Sequence, residues 1–195
     1  MPIPDFTIDG ILPPFVGPDG PGASSNIMTP YRATAEEVVV RFGGTVRRNE
    51  ILRGWLDHRA ALRAAGVARG FQWVDGSFVE DKEPNDIDVL TYFHRPAGFA
   101  ALADFRTWVT TNARLLNRAF VKQTYKVDFF PFDLQGSPEA LVEATRYYGA
   151  LFSHRRDSNL WKGMLSVRLE DPADDAAALA AITPPAAAGV VGAAP

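Results

Sequence analysis

A chain of 195 residues with an apolar share of 47% is long enough and apolar enough for a single domain with a hydrophobic core. The net charge of −3 gives no overall attraction to a polyanion, so nucleic-acid contact would need a local basic patch. The absence of cysteine excludes disulfides, thiolate zinc sites and cysteine nucleophiles. Because no segment has the pattern of a signal peptide or a membrane span, we expect a cytoplasmic protein with no membrane partner.

The N-terminal segment is rich in proline, glycine and serine, which disfavours regular structure. We therefore predict an extended N-terminal arm over residues 1–30. Its few apolar side chains, such as Leu12, are the ones expected to hold it against the body of the protein.

Two helices are predicted after the arm. The segment ATAEEVVVRF has Thr34 as a candidate N-cap and acidic residues in its first turn. Residues 49–66 have apolar side chains at helical spacing, with Asn49 as a candidate cap and Gly66 as the stop signal.

The segment FQWVDGSFVEDKEPNDIDVLTYF contains two strand-like apolar runs separated by polar turn residues. Side chains alternate between the faces of a strand, so Asp86 and Asp88 should project to the same side. Two carboxylates this close repel each other, and a divalent cation such as Mg²⁺ or Mn²⁺ removes that repulsion. The alternative is an acidic turn in which both aspartates are solvated.

Gly76 and Ser77 lie in the turn between the two runs. Glycine permits backbone angles and close approaches that other residues do not, and Ser77 adds a hydroxyl beside exposed amides that can receive phosphate oxygens. An anion site and a metal site would then share one hairpin, which indicates metal-dependent nucleotide chemistry. Asp75, just before the turn, is either a further partner of this site or a turn residue.

The following pattern predicts a long helix to about Phe120, a third strand over about residues 124–130, and a helix capped by Ser137. Alanine, proline, glycine and valine then dominate, and we predict a disordered tail over residues 171–195. Residues 31–170 are predicted to form one α+β domain, a small mixed β-sheet with helices packed on one face.

The hairpin resembles that of minimal, single-domain nucleotidyltransferases of the DNA polymerase beta superfamily, and the chain is similar to a poorly characterised bacterial group among them. Their pattern is an apolar residue, Gly, Gly or Ser, a loop and Asp-x-Asp, matched here at Gly76, Ser77, Asp86 and Asp88. The wider likeness includes RRNEILRGWL and WKGMLSV and spans about residues 5–170. The loop is shorter than usual and lacks the arginine-containing segment of the family, which leaves the nucleotide preference open.

The resemblance implies a third carboxylate on a later strand. The segment YKVDFFPFDL supplies Asp128, which should point away from its neighbours Val127 and Phe129. Asp133 is the second candidate, but Pro131 interrupts the strand before it.

Three cations late in the chain are candidate nucleotide-binding residues. Lys162 in LWKGML either reaches a phosphate or lies on the surface. Arg155 and Arg156 in FSHRRDSN would bind a triphosphate or an RNA backbone if they line the cleft, and otherwise sit at a helix end.

The resemblance implies a metal-dependent nucleotidyltransferase that moves a nucleoside monophosphate from a nucleoside triphosphate to a hydroxyl of an RNA, a protein or a small molecule. Asp86, Asp88 and Asp128 would be both catalytic and metal-binding, with Mg²⁺ or Mn²⁺ as cofactor. Similar small proteins are often components of toxin–antitoxin or phage-defence systems, so we expect an RNA or protein acceptor and a partner protein.

Two alternatives remain open. The short loop favours a catalytically inactive nucleotide-binding or regulatory module that acts through a partner protein. A metal-dependent phosphohydrolase is the other alternative, although no histidines lie near the carboxylates in the sequence.

Overall fold

The computed structural model describes residues 3–20, 24 and 27–182. Its sheet has the strand order β1-β5-β2-β3-β4, in which β1 pairs with β5 and β3 with β4 in parallel, while β2 is antiparallel to both β3 and β5. The predicted α+β class with a mixed sheet is therefore confirmed. The strands are β1 (Tyr31–Ala33), β2 (Gly70–Asp75), β3 (Ile87–Phe93), β4 (Val127–Asp133) and β5 (Leu165–Arg168).

Seven α-helices lie within the described residues. They are α1 (Ala35–Phe42), α2 (Val46–Ala64), α3 (Leu102–Thr111), α4 (Ala113–Leu116), α5 (Arg118–Tyr125), α6 (Pro138–Phe152) and α7 (Pro172–Ala181). Among these helices, none combines the length and apolarity that crossing a membrane requires.

Helices cover both faces of the sheet. The larger core joins α1, α2, α5 and α7 to the face that carries Val89 and Phe129. The prediction placed all helices on one face, but α6 packs on the other, where Leu90 and Tyr92 belong to a second, smaller core. The physical reason is that β3 is apolar on both of its faces, so each face must be shielded from water.

The first two helices begin at threonine caps. Thr34 Oγ1 accepts a hydrogen bond from the Glu37 backbone N–H at 3.1 Å, as predicted. The second helix starts three residues earlier than predicted, because Thr45 caps it. Asn49 is not the cap; its Oδ1 instead accepts from the Gly44 backbone N–H at 3.1 Å.

The predicted long helix before the third strand is three shorter helices. Asn117 interrupts it, because its side chain accepts a hydrogen bond from the Phe120 backbone N–H at 2.9 Å and so caps a new helix. The new helix, α5, ends at Tyr125, and Lys126, in a left-handed conformation, connects it directly to β4. The break at Asn117 therefore places α5 beside the start of β4, which is the third strand of the sequence-based prediction.

The predicted disordered tail is wrong for residues 171–182, which contain α7. Asp171 caps this helix, and Asp175 pairs with the buried Arg59 of α2 at 2.7 Å. A buried guanidinium needs a counter-charge, and this need orders a segment whose composition alone favours disorder. Residues 183–195 lie outside the described residues.

The described part of the N-terminal arm packs against the body. Leu12 is fully buried, and its carbonyl accepts a hydrogen bond from the Gly163 backbone N–H at 2.8 Å. Ile11 bridges to Glu80, so the arm runs beside the loop between β2 and β3. Residues 1–2, 21–23 and 25–26 of the predicted arm lie outside the described residues.

Candidate active site

Three aspartates form a row across neighbouring strands. Asp75 on β2 is the register partner of Asp88 on β3, and Asp88 is the partner of Asp128 on β4. Residues at the same register position project to the same face of a sheet, so the three carboxylates converge. Asp86 lies just before β3 and joins this group through a shared ion-pair partner, Lys122.

The row lies in a cavity of about 720 Å³. All eight predicted site residues line this cavity: Gly76, Ser77, Asp86, Asp88, Asp128, Arg155, Arg156 and Lys162. A cavity of this volume is in the range of small-ligand sites. The structure therefore brings together, from four parts of the chain, the residues that the sequence marked as candidates.

The turn after β2 passes directly over the row. Gly76 has a φ of +79°, and a Cβ at this position would lie 2.0 Å from Asp88 Oδ2. Any larger residue would be strained and would also displace the carboxylate. Ser77 follows in the short 3₁₀ turn Gly76–Val79, so the turn and the carboxylates form one continuous surface of the cavity.

Burial and like charge disfavour the ionised form of two of the aspartates. Burial, together with the charges of Asp86 and Asp128, raises the pKa of Asp88 to about 6. Burial raises the pKa of Asp75 to about 7, despite the nearby ammonium of Lys162. A cation placed among these carboxylates would offset their repulsion.

Two cations from α5 already contact the row, and sequence reasoning missed both. Lys122 Nζ lies 2.6 Å from Asp86 Oδ2 and 3.0 Å from Asp128 Oδ2. Arg118 donates through both Nε and Nη2 to Asp128, the latter at 2.9 Å. Burial alone would raise the pKa of Asp128, but these hydrogen bonds outweigh it and hold that pKa below its usual value. The available signal was the i, i+4 spacing of two cations just before the third strand.

The donor set fits a hard divalent cation, with one condition. Asp86, Asp88 and Asp128 offer carboxylate oxygens, the ligands that Mg²⁺ and Mn²⁺ prefer. Within residues 3–20, 24 and 27–182, no three acidic or histidine side chains form a ready-made metal-ligand group. The ammonium of Lys122 is bound to two of the three carboxylates. A divalent cation would have to displace it.

Lys162 is a positioning residue in this structure and not a free phosphate ligand. Its side chain is only 3% exposed. Nζ donates to the Gly76 carbonyl at 2.9 Å and to Glu80 Oε1 at 3.0 Å, and lies 3.3 Å from Asp75 Oδ1. The ammonium therefore fixes the turn over the row. The alternative of a surface lysine is wrong, and direct contact with phosphate stays a prediction.

The two late arginines differ in their availability. Arg155 is engaged, because it donates to the Asp9 carbonyl at 2.8 Å and pairs with Asp157 at 2.9 Å. Arg156 is exposed on the cavity wall and has no hydrogen bond or ion pair with another described residue. Its charge nevertheless acts on Asp88, whose pKa it lowers against the stronger effect of burial. Arg156 is thus the better placed of the two to meet an anionic ligand.

Asp133, the second candidate for the third carboxylate, lies away from the cavity. It occupies the opposite end of β4 from Asp128 and binds the Arg95 side chain, with Oδ2 2.8 Å from both Nε and Nη2. Its function is to tie the end of β4 to the chain after β3.

The loop between the turn and Asp86 is fastened to α2. The buried guanidinium of Arg48 donates to the carbonyls of Phe78 at 2.9 Å, Glu80 at 2.7 Å and Lys82 at 2.7 Å. A planar guanidinium that donates to several carbonyls fixes the path of a loop that has little regular structure. Arg48 therefore positions the segment that connects the turn to the acidic pair.

Comparison with known proteins places the chain in a family. A family model described only as a family of unknown function, DUF6932, matches residues 4–168. The chain belongs to this family. No curated protein and no solved structure gave a significant match.

The matched region of DUF6932 contains all five strands and every residue of the candidate site. It ends before α7, the helix that carries Asp175. The counter-charge of the buried Arg59 thus comes from outside the matched region.

We expect an Asp75→Asn variant to lose a pH dependence of stability. The folded pKa of Asp75 is raised from 3.8 to about 7, so between these values the folded state retains a proton that the unfolded chain releases. Stability of the metal-free wild type should therefore fall as the pH rises through that window. Within this window, the free energy of unfolding of the variant should increase relative to that of the wild type by about 1.4 kcal/mol for each pH unit. Urea unfolding at several pH values measures this, and a pH-independent difference would contradict the assignment.

Proposed function

We propose that this protein is a metal-dependent nucleotidyltransferase, which moves a nucleoside monophosphate from a nucleoside triphosphate to a hydroxyl of an RNA, a protein or a small molecule. The observation that carries the proposal is the row of carboxylates beneath a glycine–serine turn in one cavity. Such an arrangement suits a ligand that is polyanionic and bound through a cation.

Asp86, Asp88 and Asp128 would hold the Mg²⁺ or Mn²⁺ ions. When bound, these ions would neutralise charge on the phosphates and lower the pKa of the acceptor hydroxyl. Ser77, which lines the cavity in this turn, would receive phosphate oxygens, and Arg156 would add a positive charge on the cavity wall.

Lys122 would have two roles in this proposal. Its contacts with Asp86 and Asp128 keep the acidic group neutralised before ligands arrive. Once it leaves these carboxylates, the ammonium remains beside the same cavity, where phosphate oxygens are suitable partners. The Lys122 ammonium would thus exchange its contacts with the protein's carboxylates for contacts with the phosphates of the ligand.

The transfer step forms a bond between the acceptor oxygen and the α-phosphorus and breaks the bond from that phosphorus to pyrophosphate. The hydroxyl proton leaves to solvent or to a carboxylate of the row. The chain itself contributes position and electrostatics, because it supplies no covalent nucleophile to this scheme. A toxin–antitoxin or phage-defence setting in the cytoplasm, with an RNA or protein acceptor and a partner protein, completes the proposal.

A second candidate function has its own supporting observation. Arg118 and Lys122 already neutralise Asp128, and no ready-made metal-ligand group is present in the described part of the chain. These facts favour a catalytically inactive nucleotide-binding module that acts through a partner protein. Calorimetry separates the two candidates: nucleotide binding that is tight and unaffected by Mg²⁺ and by Asp86→Ala would favour the module.

The deciding experiment uses nucleoside triphosphates labelled at either the α or the γ phosphate, with purified protein and cell extract. We expect metal-dependent transfer of the α label to a macromolecule or a small molecule, and no transfer of the γ label. Release of γ-labelled phosphate without α transfer would instead favour a phosphohydrolase. Failure of α transfer with all four nucleotides, in Mg²⁺ and in Mn²⁺, would overturn the proposal.

A further inference from the structure

The cavity has two chemically different ends. One end carries the aspartates, the glycine–serine turn and the cations described above. The other end is a wall made by α6 and the adjacent part of β4, and we call it the aromatic wall. Its members are Phe130, Tyr147, Tyr148, Leu151 and Phe152.

A continuous series of contacts links the two ends. Asp128 is bound by Arg118, whose guanidinium lies 4.4 Å from the centroid of the Phe130 ring. The rings of Phe130 and Tyr148 are 5.0 Å apart between centroids, and Tyr147 and Tyr148 are also 5.0 Å apart. The aromatic wall therefore begins one side chain away from the carboxylates.

Tyr147 stands out within this wall because it is 56% exposed, whereas Phe152 is buried. Its ring is nearly perpendicular to that of Tyr148, at 88°. The pair therefore presents both a ring face and a ring edge. Rings prefer stacked or edge-to-face partners, so this surface suits another flat ring.

We propose that the aromatic wall is a nucleobase subsite, in which the base of the nucleotide stacks on Tyr147 and Tyr148 while its phosphates lie at the acidic end. This inference rests on the proposed function, because it assigns the two ends of that ligand to the two ends of the cavity. A volume of about 720 Å³ is sufficient for a ligand of this size. Stacking accepts any base, so discrimination among the four nucleotides should be weak.

The test compares two ligands that share a phosphate chain and differ in the base. Calorimetry in Mg²⁺ would use α,β-methylene ATP, which resists cleavage at the transfer position, and inorganic tripolyphosphate. For Tyr147→Ala we expect the Kd of the ATP analogue to rise about tenfold, with tripolyphosphate unchanged. Tyr147→Phe keeps the ring and should bind like the wild type.

Val142→Ala is the matched control, because Val142 also lies on α6 and is 65% exposed but does not line the cavity. It should bind both ligands normally. The subsite is overturned if Tyr147→Ala leaves the ATP analogue unaffected, if tripolyphosphate weakens equally, or if the wild type binds the analogue no better than tripolyphosphate.

The outcome separates this inference from the proposed function. If Tyr147→Ala loses base-dependent binding and the wild type shows no transfer of the α label, the subsite is supported and the proposed enzyme activity is overturned. If the wild type transfers the α label and Tyr147→Ala leaves the KM for ATP unchanged, the proposed enzyme activity is supported and the subsite is overturned.

Discussion

Asp88→Asn should abolish nucleotidyl transfer without loss of the fold. Asp88 is the central member of the row, with partners on both neighbouring strands, so its loss removes the carboxylate best placed to share a cation. We expect a fall in kcat/KM of at least about 1,000-fold. The metal-free variant should be more stable than the metal-free wild type, by an amount that grows between pH 3.8 and about 6 and is constant above. The reason is that burial and two like charges raise the pKa of Asp88 to about 6 and disfavour its ionised form.

The matched control is Asp133→Asn. Asp133 lies on β4, the strand that also carries Asp128, but binds Arg95 outside the cavity. Its replacement should leave transfer unchanged and cost some stability. The α-label assay and urea unfolding measure the two effects. An Asp88→Asn protein that retained a tenth of wild-type transfer would contradict the proposed role of the row.

Asp175→Ala should destabilise the protein by about 3–5 kcal/mol, because it leaves a buried guanidinium without its counter-charge. Arg59 is fully buried, and its Nε and Nη2 donate to the Asp175 carboxylate at 2.9 and 2.7 Å. Arg59 also donates to Gln72 Oε1 at 2.9 Å, so the charge lies within the core between α2 and the sheet. The free energy of unfolding in urea measures the loss.

Arg63→Met is the comparison for this variant. Arg63 contacts the same carboxylate, at 2.5 Å, but its side chain is partly solvated, so its removal should cost about 1 kcal/mol or less. A loss below 1 kcal/mol for Asp175→Ala would show that water reaches Arg59. Because α7 lies beyond residues 4–168, the result also tells whether the matched region depends on that helix.

The parts of the fold that sequence predicted well depend on neighbouring residues. The two strands around Gly76 follow from apolar periodicity, and the start of α1 follows from Thr34 and the acidic residues after it. The common face of Asp86 and Asp88 follows from the alternation of side chains along a strand, whereas the third carboxylate, Asp128, was implied by the family resemblance. These signals extend over only a few positions, so a single sequence contains them.

The errors arose where a distant residue determined the local structure. The composition of residues 171–182 favours disorder, yet Asp175 orders them by meeting Arg59, 116 positions away. Lys162 had a surface position as one alternative, but its ammonium is buried and bound at the Gly76 carbonyl. Neither partner can be recognised without the fold.

The sequence by itself determined the α+β class and the hairpin, because periodicity and turn chemistry are local properties of the chain. Only the tertiary structure decided which charges meet. Strand register placed Asp75 in the row, and the break at Asn117 delivered Lys122 to it. Electrostatic pairing depends on distance in space and on burial, and both are set by the packing of remote segments.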